Sequence, residues 1–258
     1  MGVTTIAINL LCMLSKAQIK YIRSLTHQKF RNEYKVFIAE GSKIATEWLS
    51  GEASVKMIIA TEAWAVQNIR LISRHPEAEL ATVSDRELEA ISTLQTPNQV
   101  LLVVPMPAPE DIPQLQEWCL ALDDISDPGN MGTIIRIADW FGIRHIVCSP
   151  GCVDVYNPKV VQSAMGGHLR VSMYESELLP FLSATGLPKI AATLDGGSVY
   201  NMKRTEAGVL IIGNESKGIS DSVLAVVSEK VMIPRKGGAE SLNAGVSAGI
   251  LCALLLPC

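Results

Sequence analysis

No nucleotide-binding glycine signature occurs in this chain. The phosphate loop GxxxxGK followed by Ser or Thr is absent, and no GxGxxG follows a predicted strand. The first absence excludes a P-loop nucleotidase and the second argues against a dinucleotide fold. Long apolar runs are missing too. The stretches at 3–14 and Ala248–Leu256 are short, and no Lys or Arg precedes the first. Neither a membrane span nor a secretory leader is therefore expected. A disulfide framework is also lacking. The six cysteines, Cys12, Cys119, Cys148, Cys152, Cys252 and Cys258, lie mostly in apolar runs. That usage fits a reducing, cytoplasmic compartment. His145, Cys148 and Cys152 are neighbours in sequence, but they sit at a strand end and the loop after it. No second ligand pair follows, so no metal is expected.

What is present suits a well-cored globular protein. The 258 residues are 48% hydrophobic and 19% charged, room for one large or two ordinary domains. A net charge of −4 argues by itself against a nucleic-acid partner, but the charge is unevenly spread. Seven basic residues lie between Ser15 and Lys43, opposed only by Glu33 and Glu40, so this stretch is +5 and the remainder −9. Lys29, Arg31 and Lys35 are the candidate nucleic-acid contacts in a local basic patch. The plainer reading is a solvated helix face.

The pattern divides into two α/β domains. Residues 15–49 are helical, interrupted by strand-like Val36–Ile38, and Gly41 permits a turn into a helix ending near Trp48. Short apolar runs at Val55–Ala60, Leu80–Val83 and Gln99–Val104 complete a domain over 13–104. Met13 precedes the patterned helix, so the first twelve residues are expected to lie outside the fold. Four prolines between Pro105 and Pro113 predict a linker over 105–114. A second domain over 115–258 has predicted strands at Trp118–Leu122, Arg144–Cys148, Lys189–Thr193, Gly208–Ile212 and Lys230–Ile233. Its predicted helices are Gly132–Phe141, Pro158–Ala164 and Ser241–Leu256. Apolar strands alternating with helices imply a mostly parallel sheet covered on both faces.

Three polar segments stand between the apolar runs of this second domain. Asp127-Pro128-Gly129-Asn130 reads as a turn before a helix, its glycine relieving backbone sterics. Arg136 follows in an otherwise apolar helix and needs a partner, either a carboxylate of this protein or an RNA phosphate or substrate hydroxyl. Gly213–Ser220 follows an apolar strand, and its two glycines would let backbone amides approach a ligand. Glu215 there reads as an acid/base, a helix-start carboxylate or an orienter of Arg136. Glu240-Ser241-Leu242-Asn243 opens the last helix, with Ser241 an ordinary N-cap candidate. Three such loops at strand ends suggest one composite site.

Together these segments resemble the three motifs of the SpoU (TrmH-like) RNA ribose methyltransferases of the SPOUT superfamily. Asn130-x-Gly132-x-x-x-Arg136 resembles the first and Gly213-Asn214-Glu215-Ser216-Lys217-Gly218 the second. Ile233-Pro234 with Ser241-Leu242-Asn243 and the small-residue stretch Ala244–Ala248 resembles the third. Asn157-Pro158-Lys159 and Ser163–Gly166 are similar to the stretch that links them. The resemblance covers about 115–256. A weaker one covers 15–104, where Phe37-Ile38-Ala39-Glu40-Gly41 is similar to the substrate-binding domain of the rRNA-modifying branch.

The resemblance implies a deep C-terminal trefoil knot, an exception to the rule of unknotted chains. It implies S-adenosylmethionine held mainly by backbone groups, near Thr193, Leu194, Gly213, Asn214, Gly218, Ile233 and Leu242. It also implies a homodimer with the apolar last helix at its interface. The reaction it implies is methyl transfer to a ribose 2′-hydroxyl of RNA, rRNA in preference to tRNA, with no membrane partner. Arg136 would be central, with Asn130, Glu215, Ser241 and Asn243 positioning. A non-catalytic RNA-binding or ribosome-assembly module is the rival from another class.

Overall fold

The computed structural model describes residues 14–96 and 98–257. The expected extension over the first twelve residues, with Cys12, and Cys258 lie outside the described residues. The chain divides into two compact units, one reaching Pro107 and one starting at Ala108.

In the first unit, helix α1 (Lys16–Ser24) starts on a reciprocal cap. The Ser15 hydroxyl accepts from the Gln18 amide at 3.2 Å, and the Gln18 side chain accepts from the Ser15 amide at 2.9 Å. Helix α2 (Gln28–Tyr34) stops at Lys35, which takes a left-handed φ of 53°. Then come β1 (Val36–Glu40), α3 (Ser42–Ser50), β2 (Met57–Thr61), the short α4 (Glu62–Gln67) and α5 (Ile69–Ile72), β3 (Glu79–Val83), α6 (Asp85–Ile91) and β4 (Val100–Pro105). The sheet order is β1-β4-β2-β3, with β4 antiparallel to both its neighbours and β2 parallel to β3. Alternation along β1 sorts the core: Val36 and Ile38 join Ile22 and Leu25 of the α1 side, while the Phe37 ring meets Trp48 of α3 edge-on at 5.9 Å. Two charged residues of the basic stretch are structural. Arg31 is 1% exposed, and its Nη1 donates to the carbonyls of Leu25 at 2.8 Å and Thr26 at 2.9 Å. Contrary to its place among the candidate RNA contacts, it staples the turn between α1 and α2 and cannot face RNA, because a buried guanidinium is kept by its partners. Glu40 is buried as well and accepts from Ser92 and Thr93.

The second unit contains β5 (Cys119–Asp123), α7 (Pro128–Trp140), β6 (His145–Cys148), α8 (Pro158–Ala164), β7 (Ser172–Glu175), α9 (Leu178–Ala184), β8 (Lys189–Ser198), β9 (Val209–Gly213), α10 (Asp221–Leu224), β10 (Glu229–Met232) and α11 (Ala244–Leu255). All six strands pair in parallel in the order β10-β8-β9-β5-β6-β7. The period of two again sorts the faces. Leu120, Leu122, Leu210 and Ile212 pack toward α7, α8 and α11; Cys119, Ala121, Val209 and Ile211 pack toward α9 and α10. Ile112 and Leu115, at the end of the proline-rich stretch, pack on the second of these clusters, so that stretch is partly anchored rather than a free linker.

Several boundaries differ from the sequence reading. Helix α7 begins at Pro128, so Asp127-Pro128-Gly129-Asn130 is its first turn. Asp127 is the N-cap, accepting from the Asn130 amide at 2.7 Å, with Pro128 at the first position. Gly129 therefore relieves no backbone strain; a Cβ there would sit 3.0 Å from the capping carboxylate oxygen. Helix α11 begins at Ala244, and its N-cap is Asn243, accepting from the Val246 amide at 3.1 Å, not Ser241. Strand β7 and helix α9 had no counterpart in the sequence pattern; Ser172–Glu175 is an exposed-to-half-buried edge strand with no apolar run.

Candidate active site

A cavity of about 740 Å³ opens at the carboxyl ends of β8, β9 and β10. Three local features build it. The first is a break in the β8–β10 ladder: Lys230 pairs with Ala191, but the next residue, Val231, pairs with Gly197. Residues 192–196 thus have no ladder partner on β10, and β9 pairs only with 189–191. The bulged segment projects Thr193, Leu194 and Asp195 into the cavity wall. Gly196 makes the return possible, since a Cβ there would lie 2.6 Å from the Lys230–Val231 backbone.

The second feature is the loop after β9. Asn214 and Gly218 exchange backbone hydrogen bonds at 3.1 and 2.9 Å, and Gly218 takes φ +72°. A Cβ on Gly213 would meet the Gly218 carbonyl carbon at 2.4 Å. The two glycines therefore close the loop on itself, which sets the cavity floor; sequence reasoning gave them only a ligand-facing purpose. The Asn214 side chain donates to the Asp124 carbonyl at 2.8 Å, and Lys217 pairs with the Asp124 carboxylate at 2.7 Å. Asp123 accepts from both the amide and the hydroxyl of Ser220 at 2.8 Å. Asp123 and Asp124 went unnoticed in the sequence. Two adjacent carboxylates at the end of an apolar strand were the available signal.

The third feature is the approach to α11. Ser241 and Leu242 line the cavity, together with Ile233 and Glu240. Asn243 donates through Nδ2 to Asn130 Oδ1 at 2.5 Å, and Asn130 donates through its own Nδ2 to Glu215 Oε1. Asn130 is 8% exposed and ties the start of α7, the loop after β9 and the cap of α11 into one chain of hydrogen bonds. The three polar segments thus meet physically. Gly132 supports this arrangement by close helix packing, for a Cβ there would lie 2.5 Å from Ser163 Cβ and from the Val160 carbonyl on α8.

Thr193, Leu194, Gly213, Asn214, Gly218, Ile233 and Leu242 all border this one cavity. Glu215 and Ser241 border it too, whereas Asn130 and Asn243 stand behind Glu215. Arg136 does not line it. It is exposed on α7, one turn from the 84%-exposed Trp140, beside the row where α7 meets Gly245 and Gly249 of α11. Leu194 and Leu242 are 76% and 45% exposed at the mouth, leaving apolar surface open to a ligand. The volume lies within the roughly 300–1,000 Å³ of small-molecule sites. The cavity thus has unladdered backbone on one wall and apolar side chains at its mouth, and its lining includes the carboxylates Asp195, Glu215, Asp221 and Glu240 and the cations Lys217, Lys230, Arg235 and Lys236.

A parallel sheet covered on both faces, with a ligand cavity at the carboxyl ends of its strands, is the layout of an α/β enzyme domain. The chain belongs to the SpoU rRNA methylase family, whose model matches residues 117–253. An MRM3-like substrate binding domain matches residues 16–102. A 23S rRNA (guanosine(2553)-2′-O)-methyltransferase of Bacillus subtilis is 29% identical, over 91% of this chain and 94% of that protein. A TrmH-family protein of Porphyromonas gingivalis has a similar structure, with a TM-score of 0.84 and 36% identity over 95% of this chain and 98% of that one. An AdoMet-bound rRNA methyltransferase of Sinorhizobium meliloti gives 0.82 and 26%, over 93% and 95%.

Proposed function

We propose that this chain transfers a methyl group from S-adenosylmethionine to a ribose 2′-hydroxyl of RNA, with ribosomal RNA as the substrate class. The observation that carries the reading is the junction at Asn130, which joins all three motif segments beside one cavity. The Bacillus subtilis and Sinorhizobium meliloti relatives, both named for rRNA, favour that class over tRNA.

Thr193, Leu194, Gly213, Asn214, Gly218, Ile233 and Leu242 would hold the cofactor, which when bound supplies an electrophilic methyl on sulfur. Glu215, fixed by Asn130, and Ser241 would orient the ribose at the cavity edge. Arg136, outside the cavity of its own copy, would act as a fixed charge from the contact with a second copy. A guanidinium keeps its proton, so its part is to stabilise the developing alkoxide and hold the neighbouring phosphate, not to take the proton. Lys29 and Lys35, both exposed, remain candidate phosphate contacts in the first unit.

A second copy of the chain belongs to this reading. Helix α11 has no charged residue from Ala244 to Leu255, and Val246 is 49% exposed with Ile250 half-buried and Ala253 exposed on its outer side. Pairing through that face would bury it and place Arg136 and Trp140 at the contact. The trefoil knot and a cytoplasmic location complete the proposal. The latter is in keeping with free thiols at Cys119, Cys148, Cys152 and Cys252. Among the described residues no helix is long and apolar enough to cross a membrane.

The test is Arg136→Ala. Calorimetry should show S-adenosylmethionine bound as in the unaltered protein, while methyl transfer to rRNA falls about 100-fold or more. Unchanged turnover would remove Arg136 from the mechanism.

A further inference from the structure

We propose that the α1–α2 face of the first unit is a stacking surface for unpaired RNA nucleotides. This rests on the RNA reading above and adds the form of RNA recognised there. Three of the chain's nine Phe and Tyr residues gather on this face, and with His27 they make a continuous series of rings. His27 meets Phe30 edge-on with centroids 6.4 Å apart. Phe30 stacks on Tyr34 at 6.2 Å with 14° between planes, and Tyr34 meets Tyr21 edge-on at 5.1 Å. The series runs from the core edge to the surface: Tyr21 packs against the core and Phe30 is half-buried, while His27 is exposed and Tyr34 is 41% exposed.

Cations flank the rings. Lys29 Nζ lies 5.9 Å from the Phe30 centroid, and Lys56 Nζ lies 5.3 Å from that of Tyr21. A groove of about 680 Å³ opens at the His27 end, lined on the helix side by Lys20, Arg23, His27 and Phe30. Glu89 is the carboxylate on its opposite side. Lys35 adds a further exposed charge after α2, and Glu33 is the acidic residue within α2 itself.

Partly exposed rings flanked by lysines are what a single strand needs: bases lie on π-faces while phosphates meet ammonium groups. A duplex keeps its base faces inside the stack and could use only the cations. The surface therefore fits loop or bulge nucleotides in preference to a paired stem.

The experiment uses the full chain and two probes, a short unstructured RNA containing 2-aminopurine and a duplex of equal charge. The single strand should bind more tightly and its fluorescence should be quenched. His27→Ala with Phe30→Leu, which keeps apolar bulk at Phe30, should weaken single-strand binding about 10-fold or more. The same variant should lose the quench and keep the salt slope. Lys29→Ala with Lys56→Ala should flatten that slope, by roughly 0.7 for each phosphate no longer neutralised, and keep the quench. If the ring variant binds and quenches as the unaltered protein does, the stacking surface is overturned while the RNA reading stands. If neither probe binds the unaltered protein, the stacking surface is overturned, while methyl transfer to rRNA decides the RNA reading separately.

Discussion

Asn130 has a side chain with one acceptor oxygen and a two-proton donor, and the fold uses both ends. Its oxygen takes the Asn243 amide and its nitrogen serves the Glu215 carboxylate. Alanine at 130 would leave half-buried Glu215 without that donor and Asn243 without that acceptor. A loss of about 1–2 kcal/mol is expected in urea unfolding, with a larger relative loss of methyl transfer than of cofactor affinity. An unchanged unfolding midpoint would show that the junction carries no stability. At this scale the three polar segments were legible from residue type and spacing. Positions 193, 194, 213, 214, 218, 233 and 242, which border the cavity, were reached as cofactor contacts only through the family resemblance. Other residues were misread for reasons that depend on packing. Arg31 belongs to a basic run, yet its guanidinium lies against two carbonyls. Ser241 has the right chemistry for a cap, but Asn243 occupies the capping position.

At the scale of elements, the strands of the parallel sheet were legible through their apolar runs. The bulge in β8 was not. A ladder shift leaves no mark in composition, although it is what puts Thr193, Leu194 and Asp195 in the wall. Edge strand β7 was invisible for a similar reason, its residues being polar and half-exposed. The segment after α8 has a pH consequence. His168 follows it in a short 3₁₀ turn and contacts the Val155 carbonyl at 2.7 Å. Burial pushes its imidazole down to about 4 from 6.5, with the Val155 bond partly opposing. The folded state therefore favours the neutral ring. That contribution is complete above pH 6.5 and is lost as pH falls from 6.5 toward 4, where the unfolded chain binds a proton that the folded one refuses. The difference amounts to about 3 kcal/mol. Urea unfolding at pH 7 and pH 4.5 should show a smaller acid loss for His168→Gln than for the unaltered protein. Equal losses would place the acid sensitivity elsewhere.

Across the whole molecule, two units divide the work proposed for it. The first presents rings and cations; the second joins three distant segments at a cavity between strand ends. Each segment alone had an ordinary explanation in a cap or a turn, and each does serve as one: Asp127 and Asn243 cap helices, and Gly213 with Gly218 closes a loop. Their functional content lies in where the sheet brings them, and this is why the composite site could be suspected from spacing but its hydrogen-bonded junction could not. The most direct test is methyl transfer itself. Purified protein, methyl-labelled S-adenosylmethionine and rRNA transcribed without modification are combined, and the RNA is digested to nucleosides. Label is expected in a 2′-O-methylated nucleoside. Label on a base, or no label in rRNA with the cofactor bound, would contradict it.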